Sequence, residues 1–285
     1  MINRTRTWIR YLIGGIVGTS TAWSIAAVAT DGLPRESRVP GGVARLTVAG
    51  ADEPKPVVTR DGANVWTVKR GASWIAVVGL PLSTTQGEHS VNVTRGGLVQ
   101  SVPFIVQNKR YPVQHVTLRD NAMVKPPPEV IGLIEAESAH LKAVRSTWRE
   151  SINTNAAFIL PASGRLSGRF GGSRVLNGQP RAPHAGLDVA VGTGTPVLSP
   201  GDGVVLDTGD YYFCGKTMFI DHGNGLVSLF CHLSEHTSKV GDTVRKGQAV
   251  ARSGATGRAS GPHLHWSVYL NGVSVEPELF VAIKK

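Results

Sequence analysis

A chain of 285 residues has room for more than one core, and its ordinary apolar (41%) and charged (18%) fractions exclude a disordered or fibrous protein. With 34 glycines and 17 prolines against an aromatic share of 6%, turns and short strands are favoured over a bundle of long helices. The formal charge of +10 is spread along the chain, and no run of Arg and Lys interleaved with aromatics is present, which excludes a dedicated nucleic-acid binder and suits contact with anionic membrane or cell-wall polymers.

Residues 1–29 read as a signal peptide. Arg4, Arg6 and Arg10 precede a mostly apolar stretch from Tyr11 to Ala29, and Ala27-Val28-Ala29 has the small-x-small form of a cleavage site. The expectation is export to the periplasm or cell envelope, with membrane contact only transiently during export and a mature terminus at Thr30. Thr19, Ser20, Thr21 and Ser24 dilute the apolar run, which disfavours a retained anchor.

Residues 39–118 alternate or carry β-branched runs, as in Ala44 to Val48, Asn64 to Val68, Trp74 to Val78, Ser90 to Val93 and Val102 to Val106, between Gly, Asp and Pro turns. This pattern predicts a small β-sandwich, in which His89 and His115 stand alone. Residues 119–157 hold Lys125-Pro126-Pro127-Pro128, an extended spacer, and then Ile131, Ile134, Leu141, Val144 and Trp148 on one side of a helical period, with Ser138 in the gap. An amphipathic helix that docks one domain on the other is expected there, with His140 on its surface. From 158 to 285, Gly-punctuated strands (Thr195 to Leu198, Gly203 to Leu206, Thr217 to Ile220, Leu226 to Phe230, Ala249 to Arg252, His263 to Tyr269) predict an antiparallel sheet, partly closed on itself. The fold class expected is therefore mainly β: an N-terminal β-sandwich, a linker helix and a C-terminal antiparallel β-sheet domain.

Three segments of the last region concentrate chemistry: His184-Ala185-Gly186-Leu187-Asp188, Phe230-Cys231-His232-Leu233-Ser234 and Gly261-Pro262-His263-Leu264-His265-Trp266. Four imidazoles and one carboxylate supply what a catalytic metal site needs, namely three nitrogen or oxygen ligands, an open position for water, and bases close by. His263 and His265, two apart on a strand, leave the same face with alpha carbons about 6.5 to 7 Å apart, so one can ligate while the other stands beside the metal. Four residues of straight strand span about 13 Å, so His184 and Asp188 can share one ion only if the chain bends; Gly186 allows the bend and Pro183 disfavours a helix. If the hairpin turns around Asp221 to Asn224, Ile220 faces Gly225 and Cys214 faces Cys231, a register that permits a disulfide in an oxidising compartment. That register puts Cys231 on the opposite face from His232. His222 in the turn and His236 after it are expected to be structural or exposed.

The stretch from Ser167-Gly168-Arg169-Phe170-Gly171 to Glu276-Pro277 resembles the lysostaphin-type (LytM-like) zinc endopeptidase domain, which cleaves peptide bonds of bacterial peptidoglycan. The resemblance rests on Pro183 to Asp188, Gly194-Thr195-Pro196-Val197, Gly201 to Val205, Asp221 to Gly225, Cys231 to Ser234, Val240 to Val244 and Gly257 to Trp266. Residues 39–128 are similar, with weaker motifs, to the β-rich domain preceding this peptidase in some proteobacterial members. The resemblance implies that His184, Asp188 and His265 bind one Zn²⁺ and that His232 and His263 are catalytic imidazoles. It implies peptidoglycan as the partner, with any regulatory protein unknown. Some family members have an aromatic or tyrosine donor near the first ligand; here Gly178 to Pro183 has no tyrosine, which leaves Asn177 and Arg181 as candidate substrate contacts. In latent forms of the family an asparagine hereabouts blocks the metal, a second role open to Asn177. The alternative function is a LytM-like regulator activating another cell-wall hydrolase. Such proteins usually lack some of the ligands, and here all five positions are filled. A dipeptide-cutting carboxypeptidase would space its first ligand pair more widely.

Overall fold

The computed structural model describes residues 31–116, 126–176 and 178–282. The expected signal peptide, the 118/119 boundary, Lys125 and Asn177 lie outside the described residues. In the N-terminal half the strands are β1 (Val43–Gly50), β2 (Val57–Arg60), β3 (Ala63–Asn64), β4 (Trp66–Arg70), β5 (Ser73–Gly79), β6 (Gly87–Arg95) and β7 (Leu98–Val106). They form two antiparallel sheets, β1-β5-β4 and β3-β2-β6-β7. Alternation drives the pairing of the sheets: Val91 and Val93 are buried while Ser90 and Asn92 are exposed, and the inward residues meet Leu46, Ala76, Val78 and Phe104 in one cluster. This is the expected sandwich. Its first sheet is also covered on the other side, because Val43, Trp66 and Val77 join Phe158, Trp266 and Phe280 in the main core.

One further strand of this region, β8 (Val113–Val116), belongs to neither sandwich sheet. It runs parallel to β10 (Ser173–Leu176), which also pairs with β11 (Gln179–Arg181), while β9 (Arg165–Gly168) belongs to the large C-terminal sheet. Nearby, the Tyr111 ring fills the space against Gly171, where a Cβ would come within 2.3 Å of it.

The helix α1 spans Ile131–Arg145 after one 3-10 turn at Pro128–Val130. It docks on the C-terminal sheet through Leu141 and Val144, which rest on Phe219, Val227 and Tyr269; Ile131 and Leu133 are exposed. The bridging role expected of the helix falls to the residues beyond it. Trp148 and Glu150 line a cleft with Lys55, Val57 and Val58, and Lys55 pairs with Glu150 at 3.4 Å. His140 is exposed, 2.9 Å from Asp207 Oδ2.

The remaining strands are β12 (Leu187–Ala190), β13 (Pro196–Leu198), β14 (Gly203–Tyr211), β15 (Gly215–Asp221), β16 (Leu226–His236), β17 (Thr243–Val244), β18 (Ala249–Ser253), β19 (Leu264–Leu270) and β20 (Val273–Val275). The large sheet runs β17-β14-β15-β16-β19-β12-β9, with β18 pairing both β13 and β16 and β20 pairing β19. On one face Met218, Phe230, Leu264 and Trp266 enter the main core; on the other Phe219, Val227, Leu229 and Tyr269 pack together.

The β15–β16 register differs from the expected one. Ile220 pairs with Ser228, not Gly225, because Gly223, Asn224 and Gly225 all take left-handed backbone (φ 92°, 51° and 71°) and centre the turn further along the chain. Cys214 consequently sits in the turn before β15. Its carbonyl accepts the His232 N–H at 2.7 Å, and its sulfur lies 2.7 Å from that of Cys231.

Candidate active site

Strand register assembles the cluster. Asp188 on β12 stands directly across from His265 on β19, and His265 stands across from Cys231 on β16. His184 comes from the irregular stretch before β12, which bends at Gly186 as expected. Glycine is needed there for close approach: a Cβ would lie 2.5 Å from the Trp266 carbonyl oxygen, 2.6 Å from Ser267 Oγ and 2.7 Å from His265 Cε1. Gly168 is under the same constraint, its Cβ position being 2.3 Å from Asp188 Oδ2.

His232 reaches the cluster through a break in β16. Residues up to Cys231 pair with β19, whereas Leu233 onward pairs with β18, and His232 at the change-over has φ 63°. In an unbroken strand it would follow Ser228 and Phe230 toward the main core. The left-handed residue turns its ring instead to within 4.7 Å of the His263 ring and 6.2 Å of the His265 ring, centroid to centroid. Cys231 thus lies on the face of the cluster, contrary to the simple alternation expected from sequence.

Three donor atoms converge. His184 Nε2 is 2.9 Å from Asp188 Oδ1 and 3.0 Å from His265 Nδ1, and His265 Nδ1 is 2.8 Å from the same carboxylate oxygen. His184 Nδ1–H donates to the Arg169 carbonyl at 3.0 Å, which turns Nε2 toward the cluster; Ser267 Oγ holds His265 Nε2 at 2.9 Å. Electron-rich atoms packed this closely repel unless a positive species lies between them. Ligands held about 2.0 to 2.1 Å from a tetrahedral zinc stand roughly 3.3 Å apart, so this mixed His-Asp-His set fits such an ion with small outward relaxation. Burial would raise the Asp188 carboxyl, but when the positive species is a proton on His184 and His265 their hydrogen bonds and charge outweigh it and hold the carboxyl far below the usual carboxylate range.

The other two imidazoles flank this set. His232 Nδ1–H donates to the Thr256 carbonyl and His263 Nδ1–H to the Gly261 carbonyl, each at 2.8 Å, so each ring keeps Nε2 for chemistry. His263 Nε2 is 4.0 Å from Asp188 Oδ1. Burial, followed by the neighbouring His265 and His263, pushes His232 down to about 3, so it is neutral at physiological pH. His184, Asp188 and His232 are buried whereas His263 and His265 are partly exposed, so the cluster opens on the side of the last two.

All five expected residues therefore meet in one place. Arg181 is on β11, with its side chain outside the described residues, as is Asn177. His222 is buried and structural, donating to the Asp202 carbonyl at 2.8 Å and accepting from Ser228 at 2.9 Å. Sequence reasoning missed Ser267, although alternation along β19 places 263, 265 and 267 on one face. The carbonyls of Arg169, Thr256 and Gly261 carry no side-chain signal that could have revealed them.

Comparison with known proteins adds two family matches, to peptidase family M23 over residues 182–277 and to the peptidase family M23 N-terminal domain over residues 36–109. A Pseudomonas aeruginosa protein of known structure, assigned to peptidase M23, is 38% identical with a TM-score of 0.72, the alignment covering 86% of this chain and 95% of that one. The peptidoglycan DD-endopeptidase ShyA of Vibrio cholerae serotype O1 is 37% identical over 129 residues, 45% of this chain and 26% of the relative. The DD-carboxypeptidase/endopeptidase Mpg of Neisseria meningitidis serogroup B is 40% identical over 94 residues, 33% of this chain and 22% of the relative. The chain thus spans about a quarter of the length of these curated relatives.

Proposed function

We propose, from the premise that this chain belongs to peptidase family M23, that it is a zinc-dependent endopeptidase acting on the stem peptides or cross-links of bacterial peptidoglycan. The observation that carries the reading is the triangle of His184 Nε2, Asp188 Oδ1 and His265 Nδ1, no side longer than 3.0 Å, with two further imidazoles beside it. In this reading those three residues hold the ion and His232 and His263 move protons. When bound, zinc acidifies a coordinated water toward a pKa of about 7 and polarises the scissile carbonyl. His232 and His263, with their Nδ1–H groups committed to backbone carbonyls, can each take up a proton only at Nε2 and return it to the departing amine from there. The partly exposed edges of His263 and His265 form the side from which an extended peptide would approach.

The names of the similar proteins, peptidoglycan DD-endopeptidases, support a D,D cross-link of peptidoglycan as the bond cut. The motif over residues 1–29 supports an exported, periplasmic or cell-envelope enzyme in which a β-sandwich and a linker precede the peptidase domain. Purified mature protein incubated with defined cross-linked muropeptides should yield monomers by mass spectrometry, lose this activity to a chelator and regain it with Zn²⁺. Intact cross-links in the presence of zinc, or cleavage indifferent to the chelator, would overturn the reading.

A further inference from the structure

The surroundings of His232 depend on a turn that ends at a cysteine. His232 sits in left-handed backbone (φ 63°), and its N–H is held by the carbonyl of Cys214 at 2.7 Å. Its ring is held by the carbonyl of Thr256 at 2.8 Å. The Thr256 loop is locked in turn to the Cys214 turn: Arg258 N–H donates to the Phe213 carbonyl at 2.8 Å, Lys216 N–H donates to Thr256 Oγ1 at 2.9 Å, and a Cβ on Gly257 would come within 2.8 Å of the Cys214 carbonyl carbon. Both anchors of His232 therefore move with residues 212–216. The sulfur of Cys214 faces that of Cys231, the residue just before His232, at 2.7 Å.

We propose that Cys214 and Cys231 form a disulfide in the active protein, and that this bond, by tying the turn at 212–216 to β16 beside His232, keeps that imidazole in its working position. Of the two residues Cys214 is the less buried, so its sulfur is the one assigned to meet an external oxidant first. A disulfide-bearing oxidant such as oxidised glutathione is attacked by the Cys214 thiolate, releasing one glutathione thiol and leaving a mixed disulfide. The Cys231 thiolate then attacks the Cys214 sulfur of that mixed disulfide and expels the second glutathione. Two protein thiols have lost two protons and two electrons, and the oxidant has become two thiols. A left-handed non-glycine residue persists only where its surroundings fix it, and the cross-link adds a covalent constraint to the hydrogen bonds already doing so.

The activity arm of the test rests on the peptidase reading; the thiol and melting arms do not, so the two can fail separately. The full mature chain is equilibrated in oxidised glutathione or in a phosphine reductant, which does not compete for zinc as a thiol does. Free thiols under denaturing conditions, zinc content, melting temperature and muropeptide hydrolysis are then measured. The oxidised chain should show no free thiols, a mass lower by two hydrogens and a melting temperature roughly 5 to 10 °C higher. Reduction should lower kcat several-fold with KM and zinc content unchanged. The double variant Cys214→Ala, Cys231→Ala should match the reduced protein and ignore the redox buffer. Two titratable thiols after oxidation would overturn the bond, and a kcat indifferent to reduction of a bond that does form would overturn its role at His232.

Discussion

The two β-rich halves use similar strand-forming residues but bury them differently. In β6 of the N-terminal half, Val91 and Val93 are buried while Ser90 and Asn92 meet solvent. In β16 of the C-terminal half, every residue from Leu226 to Leu233 is buried, because the main core covers one face and α1 helps to cover the other. A strand with a wet face can leave its polar side chains to water. One buried on both faces must satisfy each polar group internally, and those hydrogen bonds also fix its position. The chemistry follows this division: Asp188, His232 and Ser267 are buried and partnered in the second half, whereas His89 in the first half is partly exposed, against the Thr85 carbonyl and the Phe104 ring.

The largest expected effects test that division at the cluster itself. His265→Ala should lose zinc and with it all measurable hydrolysis, while His263→Ala should retain zinc yet lose roughly 10² to 10⁴ in kcat, the usual worth of a general acid–base group. His89→Ala should change neither quantity. Metal analysis alongside muropeptide kinetics distinguishes the three, and the reverse pattern for the first two would mean their roles are exchanged.

Next in size is the joint between the halves. Trp66 is 1% exposed and lies in the same cluster as Phe158 and Trp266, although it belongs to the sandwich. Trp66→Ala should cost about 3 to 5 kcal/mol. If the shared core couples the halves, chemical unfolding followed by fluorescence and by circular dichroism should shift as one transition. Two separated transitions, with only the first displaced, would show that the halves unfold independently.

Burial on both faces also predicts an acid response. Burial pushes His222 down to about 4, with the Asp202 carbonyl and the charge of Asp221 opposing it and Arg149 adding to it. The unfolded chain protonates this residue near pH 6.5, the folded one only near 4, so its stabilising contribution is complete above pH 6.5 and is lost as the pH falls toward 4. The loss should reach about 3 kcal/mol across that window. Unfolding free energies measured from pH 7 to pH 4 should show the decline in the native sequence and a shallower one in His222→Gln; equal slopes would refute the assignment.

Much of this was legible in the residues themselves. The strands appear as alternating or β-branched runs, and His184, Asp188, His232, His263 and His265 stand out through chemistry and spacing. What escaped was non-local. Nothing around Val113 to Val116 says that it pairs with Ser173 to Leu176, since a four-residue strand carries little pattern of its own. The β15–β16 register was missed because three successive left-handed residues, 223 to 225, move the turn further along the chain than Asp221 to Asn224 suggests. The role of the helix was misplaced because Trp148, counted in its apolar stripe, falls beyond the last helical residue.

The smallest effect isolates one hydrogen bond, and only one of the four imidazoles allows it. The outer nitrogens of His184, His232 and His263 are held by backbone carbonyls of Arg169, Thr256 and Gly261, which no substitution deletes. His265 is held by a side chain, Ser267 Oγ at 2.9 Å, on a residue that is itself fully buried. Removing that oxygen frees the ring to rotate and to change tautomer, so that Nδ1 no longer always faces Asp188. Ser267→Ala should therefore weaken zinc binding by roughly 10- to 100-fold, as loss of a group that orients a metal-bound histidine usually does. Ser267→Thr, which keeps the hydroxyl, should recover most of the affinity if its extra methyl is accommodated. Competition against a chelator of known affinity reads the change without reference to hydrolysis. Unaltered affinity in Ser267→Ala would mean that packing against Gly186, whose missing Cβ leaves room for both Ser267 and the His265 ring, is enough to hold the imidazole.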